Sequence, residues 1–399
     1  MAVTTDPGVY YDPYDFTIDS DPYPVWKRLR DEAPLYWNDK YEFFALSRWD
    51  DVDAASLNWQ TYISGRGSVL EMIKANIQIP PGNILFEDPP IHHIHRSLQN
   101  RVFTPRKMNA LEPKVRAFTA AVLDPLVGAG GFDFIADLGA QMPMRVIGML
   151  LGIPEKDQEA IRERIDEGLR IEEGEAGSLT ENYGEQNEMF AEYIEWRSKH
   201  PSDDLMTMLL NAEFEDETGE TRTLTRQEVL TYTSVLAGAG NETTGRLIGW
   251  LAKVLADHPD QRRLVVEDRS LLQNTIEETL RYEPTGHASA RYVTGDIEYY
   301  GTTLPAGSAV LLLMASANRD RRRFEHPDTY DVLRQDVQHL TFGYGLHFCL
   351  GTHLARLEGR VALDELLNRW PEWEVDYSGI KLASTSTVRG WERMPIVVR

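Results

Sequence analysis

The 399-residue chain contains a single cysteine, Cys349. One thiol cannot close an internal disulfide, and it cannot supply the ligand set of an iron–sulfur cluster. Basic residues are the second scarcity. Lys and Arg number 41 against 63 Asp and Glu, so the formal net charge is −22. A field of that sign repels phosphate backbones and anionic lipid, which argues against nucleic-acid and membrane-surface binding. The acidic surface itself reads as solvation. No run of about eighteen apolar residues occurs, so no membrane-spanning helix is expected. The opening residues, Met1 to Pro7, show neither the basic nor the apolar stretch of a secretion leader. A lone thiol suits a reducing compartment, and a cytoplasmic location is the expectation. No repeat, low-complexity tract or Gly/Ser linker divides the chain, so residues 1–399 are read as one domain.

Helical patterns dominate from about Arg96 to Tyr282, with turns at Gly128–Gly131 and Pro201–Asp204. Strand-like material is short and lies near 34–48, 288–314 and 372–398, where Ala309–Leu313 follows the turn residues Pro305-Ala-Gly307. The fold class is therefore mainly α with a small β region. One helix is expected to be unusually long. Thr225-Arg-Gln-Glu228 has the form of a capping box and His258-Pro259 supplies a stop, roughly 34 residues and about 50 Å apart. Gly238, Gly240, Gly245 and Gly249 sit inside it, each costing about 1 kcal/mol relative to Ala. Close approach to a flat ligand, with a local kink or widening, explains Gly238 and Gly240. Close helix–helix packing suffices for Gly249.

Cys349 lies in Phe342-Gly-Tyr-Gly-Leu-His-Phe-Cys-Leu-Gly351. Gly343, Gly345 and Gly351 allow tight turns and close approach to a flat partner. Leu350, Leu354, Leu357 and Val361 recur at helical spacing, which sets the cysteine at a helix start. There the dipole and free N–H groups favour a thiolate. A thiolate in a Gly-rich, aromatic-flanked loop is what an axial haem-iron ligand requires. The bland alternative is a buried structural cysteine. A second metal reading is a zinc site from His92, His93 and His95, but no Cys, Asp or Glu nearby completes a clear tetrahedral set.

The cysteine segment resembles the haem-binding signature of the cytochrome P450 family, matched at Phe342, Gly345, His347, Cys349 and Gly351. The resemblance implies haem b with Cys349 as its axial iron ligand. It sets Gly343 in the cofactor loop, Phe342 over the sulfur, and His347 at a propionate. Ala239-Gly-Asn-Glu-Thr-Thr244 resembles the family's oxygen-activation motif, which makes Glu242 and Thr243 an acid–alcohol pair. Dioxygen needs two protons before its O–O bond breaks. A hydroxyl can hold an ordered water while a carboxylate relays protons from solvent. Glu278 and Arg281 match the family's Glu-x-x-Arg motif, and Phe324–Arg334 resembles the meander whose Arg334 completes a structural triad, with Asn318–Asp320 in the loop before it. Arg291, His92 and Arg96 occupy propionate-binding positions. His93 and His95 depart from the family's usual Thr and Leu, and exposed helix positions are the simplest reading of them.

A P450 fold is implied from about residue 10 onward. Substrate contacts are read from composition: Tyr62, Val69, Leu70, Met72, Ile73, Ile77 and Ile79, then Ala239, His287 and Val388. An apolar pocket with a few polar anchors suits a small or medium organic molecule, such as an aromatic, terpenoid or steroid-like compound. His287 is read either as a substrate hydrogen-bonder or as a side chain turned away. The acidic residues Glu172, Glu173, Glu175 and Glu181 fall where the family's lid helices are expected. No flavin- or NAD-binding module is recognisable, so electrons are expected from separate proteins, which the resemblance to bacterial P450s implies are a ferredoxin and an NAD(P)H-dependent ferredoxin reductase. Arg101, Arg106, Lys107, Arg356 and Arg360 are the basic candidates for docking the donor behind Cys349. The leading expectation is a haem-thiolate monooxygenase using dioxygen; a peroxide-driven peroxygenase and a non-catalytic haem sensor are the alternatives.

Overall fold

In the computed structural model, Thr225 opens the central helix, Arg226–Asp257, by the expected capping box. Its hydroxyl accepts from the Glu228 N–H at 3.2 Å, and the Glu228 carboxylate accepts from the Thr225 N–H at 2.7 Å. The helix runs unbroken for 32 residues to His258, where Pro259 starts the next one. The structure describes residues 8–77, 79, 81–169, 189–385 and 388–399. Ile79 is among them. The acidic run Glu172–Glu181 lies outside the described residues.

Three helices pack on the central one: Gln141–Leu151, Leu272–Tyr282 and Thr352–Arg369. The glycines decide how closely. A methyl group on Gly245 would stand 2.8 Å from the Gly139 carbonyl oxygen, and one on Gly249 would stand 2.7 Å from Ile135 Cδ1. Both contacts fall on the single π-helical turn Ile135–Gly139. Gly240 serves packing between helices as well, since a Cβ there would meet Ile147 at 3.3 Å, while the residue also lines the cavity beside Cys349. Gly238 alone of the four opens onto empty space. Leu247, Ile248, Leu251, Leu255, Leu354, Val361 and Leu366 join in the main core, each at most 5% exposed.

The main sheet has five strands in the order Leu35–Asn38, Phe43–Leu46, Ala309–Leu312, Ser289–Val293, Tyr62–Ile63. Phe43–Leu46 runs parallel to Ala309–Leu312, and the other pairings are antiparallel. Register sets Arg291 opposite Val310. A smaller sheet joins Gly131–Asp133 to Pro395–Val398 and Trp373–Val375. The strand at 131–133 was absent from the sequence expectation, because its partner lies some 260 residues away and no local alternation marks it. The architecture is mainly α with small mixed sheets, as expected. Among the described residues no helix is long and apolar enough to cross a membrane.

Candidate active site

The cysteine loop turns on two residues of positive φ, Gly343 at +69° and Gly345 at +70°, where a side chain would be strained. Gly345 is also needed for packing, since a Cβ there would lie 2.8 Å from the Ser56 carbonyl oxygen. The Cys349 N–H donates to the Phe342 carbonyl at 2.8 Å, closing the loop just before the helix Thr352–Arg369. Burial pushes the Cys349 thiol up, and the Gly351 N–H with the charges of Arg96 and Arg356 offsets this only in part.

Cys349 opens into a cavity of about 500 Å³ that also receives Phe342, Gly343 and His347 from the loop, with Gly238, Ala239, Glu242 and Thr243 from the central helix. Arg96 and Arg291 reach it from a helix and a strand. Arg96 Nη2 donates to the Phe348 carbonyl at 2.6 Å, and Arg291 Nη1 to Ser289 Oγ at 2.6 Å. Beside them the polar accounting is incomplete. Both ring nitrogens of buried His92 and the Nε2 of His347 have no partner, and the two rings lie 4.6 Å apart. Desolvation brings His92 down to about 4, His347 to about 2 and Arg291 to about 10. Unpartnered buried ring nitrogens beside two guanidinium groups are the complement of an anionic group, and two haem propionates fit them. The open side of Gly238 and the sulfur at Cys349 fit the macrocycle and its iron.

Thr243 donates its hydroxyl to the Ala239 carbonyl at 2.9 Å. Glu242 is buried and held by Arg246, whose Nε lies 2.8 Å and Nη2 3.1 Å from its carboxylate oxygens. Arg246 is fixed in turn by the Trp391 carbonyl, and a methyl group on Gly390 would come within 2.7 Å of the Arg246 side chain. Glu242 also borders a second cavity of about 310 Å³, together with Asp166, Arg162, Asn241, Lys381 and Glu392. The acid thus stands between a polar cavity and the cysteine-lined one.

Residues 179–381 match the family model for cytochrome P450. Cytochrome P450 123 of Mycobacterium tuberculosis is 37% identical, over 99% of this chain and 98% of its own length. The chain belongs to the cytochrome P450 family. The vitamin D(3) 25-hydroxylase of Pseudonocardia autotrophica is 33% identical over 100% of this P450 and 99% of its own length. Among solved structures, CYP109E1 from Bacillus megaterium in complex with testosterone superposes with a TM-score of 0.86 at 28% identity, covering 96% of this chain and 99% of that one. The protein is a P450 monooxygenase, an oxidoreductase whose cofactor is haem b.

Supporting groups lie around this site in the P450. Glu278 and Arg281 are fully buried and joined by two bonds of 2.7 Å, and Arg334 Nε lies 3.1 Å from both Glu278 oxygens. Arg281 also donates to the carbonyls of Asn318, Pro327 and Thr329. The network continues to the cysteine loop, since Asn318 Nδ2 donates to Thr341 Oγ1 and Asn318 Oδ1 accepts from the Leu340 N–H. Glu277 went unnoticed in the sequence reading. It accepts from Arg356 at 2.7 and 2.9 Å and contacts His339 at 3.2 Å, while Arg356 lies 4.8 Å from the Phe342 ring centre.

Other side chains fall elsewhere than composition suggested. Val69, Met72, Ala239 and Val388 line the main cavity, whereas Leu70 and Ile73 belong to a separate core cluster under the main sheet, away from it. Tyr62 is buried on the sheet edge, its hydroxyl bonded to that of Tyr299. His287 is absent from the cavity wall, where Thr285, Gly286, Ala288 and Ser289 stand instead; its ring is buried, with the Arg389 charge acting on it. Ile84, Ile165 and Leu236 line the cavity unannounced by any motif.

His93 is exposed, but His95 is buried with Nδ1 2.8 Å from Glu87, which corrects the view of both as surface residues. Among the described residues no three His, Cys, Asp or Glu side chains gather as a metal site, so the zinc reading has no support. Arg101, Arg106 and Lys107 are exposed, whereas Arg356 and Arg360 are engaged in ion pairs with Glu277 and Glu112.

Proposed function

We propose that this P450 hydroxylates or otherwise oxygenates a small or medium apolar organic molecule, with Cys349 as the iron ligand and Glu242 and Thr243 delivering protons. The observation that carries the reading is the single cavity shared by Cys349 and the Glu242–Thr243 pair. Haem iron bound there supplies dioxygen activation. The balance is RH + O2 + 2e− + 2H+ → ROH + H2O, so protons must enter a site that otherwise excludes water. Thr243 holds a hydroxyl at the cavity wall, and Glu242 faces both the cavity and a polar one beside it. His92, Arg96, Arg291 and His347 anchor the propionates, with Phe342 and Gly343 shaping the loop around the sulfur. Val69, Met72 and Val388 offer apolar contact to the substrate, and sterol-sized molecules are the first to screen, since a relative is named for vitamin D3 and a solved neighbour holds testosterone.

Ferredoxin and its NAD(P)H-dependent reductase are proposed as the electron source, with the chain acting as one catalytic unit in the cytoplasm. Arg101, Arg106 and Lys107 are the exposed basic residues without an ion-pair partner among the described residues, and so the ones for donor docking, since Arg356 and Arg360 already serve internal carboxylates. The test is direct. Purified protein should give the thiolate-type carbon monoxide spectrum, and Cys349→Ser should abolish it; retention of that spectrum in the variant would overturn the ligand assignment. Product formed with ferredoxin, reductase and NADH, exceeding that formed with peroxide, separates this reading from a peroxygenase.

A further inference from the structure

Two carboxyl groups meet beside the central helix. Asp166, on the helix Glu155–Leu169, lines the same cavity of about 310 Å³ as Glu242, and the amide of Asn241, the residue before Glu242, donates to Asp166. Two carboxyl groups held side by side in a partly buried site disfavour double ionisation, and a proton on one lets it donate to the other. The remaining oxygen valences are filled from both sides. Arg162 Nη1 donates to Asp166 Oδ2 at 2.8 Å and Asn241 Nδ2 to Asp166 Oδ1 at 3.2 Å. Arg246 Nη2 donates to Glu242 Oε1 at 3.1 Å, and its Nε lies 2.8 Å from Oε2 as an ion pair. The charged groups facing the pair are thus Arg162 from its own helix and Arg246 from the central one, with Lys381 and Glu392 across the smaller cavity in an ion pair of 2.8 Å. That cavity, about 310 Å³, has room for several waters.

We infer that Asp166 and Glu242 form a proton-sharing carboxyl pair that draws protons from the smaller cavity and passes them towards Thr243. This rests on the assignment of Glu242 made above and adds Asp166 as the positioning residue behind it. Glu242 gives its proton on the Thr243 side, Asp166 restores it, and water in the smaller cavity recharges Asp166. Burial, followed by the neighbouring Glu242 charge and hydrogen bond, raises Asp166 to about 7 against the pull of Arg162 and Arg246. A group poised there gives up and regains protons with little driving force lost either way, the condition for efficient general acid–base work near neutrality. Charge repulsion acts in the same direction as burial, since two neighbouring carboxylates cannot both ionise freely.

The test uses the holoenzyme and does not need the natural substrate. Infrared titration should show a protonated-carboxyl C=O band that disappears as pH rises through about 7. Asp166→Asn and Glu242→Gln should each remove that titrating band, and Asp166→Glu should restore it. Glu358, buried with one unpartnered oxygen and raised well above the ordinary carboxyl range, contributes a static band that Glu358→Gln identifies.

In parallel, NADH-driven dioxygen reduction is followed with a ferredoxin and its reductase. The four-electron path to water, O2 + 4e− + 4H+ → 2H2O, should slow roughly tenfold or more in Asp166→Asn, the scale of a lost proton-transfer group, with peroxide released instead. Haem content should stay at the wild-type level. A wild type without the titrating band, or an Asp166→Asn variant that keeps wild-type peroxide yield, overturns the pair. Silence of Asp166→Asn while Glu242→Gln releases peroxide removes Asp166 alone. Silence of both removes the role of Glu242 as well.

Discussion

Gly245→Ala and Gly249→Ala add the same methyl group to the same helix one turn apart, yet the structure predicts opposite outcomes. Replacing a mid-helix glycine with alanine returns about 1 kcal/mol of helix propensity at either position. What the methyl meets then decides the sign. At Gly245 it stands 2.8 Å from the Gly139 backbone carbonyl, which is held in a π-helical turn between two packed helices. Backbone there moves only with its whole turn, and overpacking of this kind costs roughly 1–3 kcal/mol. At Gly249 the obstacle is Ile135 Cδ1 at 2.7 Å, the free end of a side chain that swings into another rotamer.

Gly249→Ala is therefore expected to be neutral or stabilising, and Gly245→Ala destabilising, with a gap of about 1–3 kcal/mol between them. With a urea slope of about 3 kcal/mol/M, the two unfolding midpoints should differ by roughly 0.3–1 M. Side-by-side urea titrations of the two holoproteins, followed by tryptophan fluorescence, measure this. Coincident midpoints, or a more stable Gly245→Ala, would refute the claim that the π-turn backbone and the central helix are in rigid contact.

Thr243→Ala should leave haem binding intact while raising peroxide released per NADH, as the hydroxyl at the cavity wall is lost; unchanged coupling would remove its role. Arg106→Glu should slow reduction by ferredoxin in a salt-dependent way, because this exposed cation has no internal duty. In Arg360→Glu any slowing would include the lost bridge to Glu112. Glu277 is raised by burial but drawn down more strongly by His339 and Arg356, to about 2 from an ordinary 4.5. Its folded value lies below its unfolded one, so its contribution is present above about 4.5 and fades as pH falls towards 2. Acid unfolding followed between those limits should be steeper in wild type than in Glu277→Gln; parallel curves would refute the pairing.

The legible parts of the chain were those where chemistry is packed into contiguous residues. The cysteine loop, the Ala239–Thr244 segment and the capping box at Thr225 each carry spacing that a single stretch can display, and the helix they imply is present from Arg226 to Asp257. Glu278 and Arg281 are visible for the same reason, being three apart on one helix. What escaped notice arises where distant segments meet. Ile165 and Ile84 reach the cavity from different helical segments, Asp166 meets the Asn241–Glu242 segment some 75 positions away, and Gly131–Asp133 becomes a strand only by pairing with Pro395–Val398. Neither apolar character nor a carboxylate says which neighbour folding will bring. His95 departs from the exposed reading because its ring meets Glu87 in the fold, and of the two readings of His287 the structure takes the one turned away from the cavity wall.

The grip of the C-terminal hairpin on Arg246 has an evolutionary corollary. Gly390 leaves no space for a side chain against that arginine, and Val388, two residues earlier, forms part of the apolar wall. Mutations that reshape this wall for a new compound therefore tug on the guanidinium that steadies Glu242. On the role proposed for Glu242, selectivity and the efficiency of electron use would share one mechanical linkage, and adaptation of either would have to be tolerated by the other.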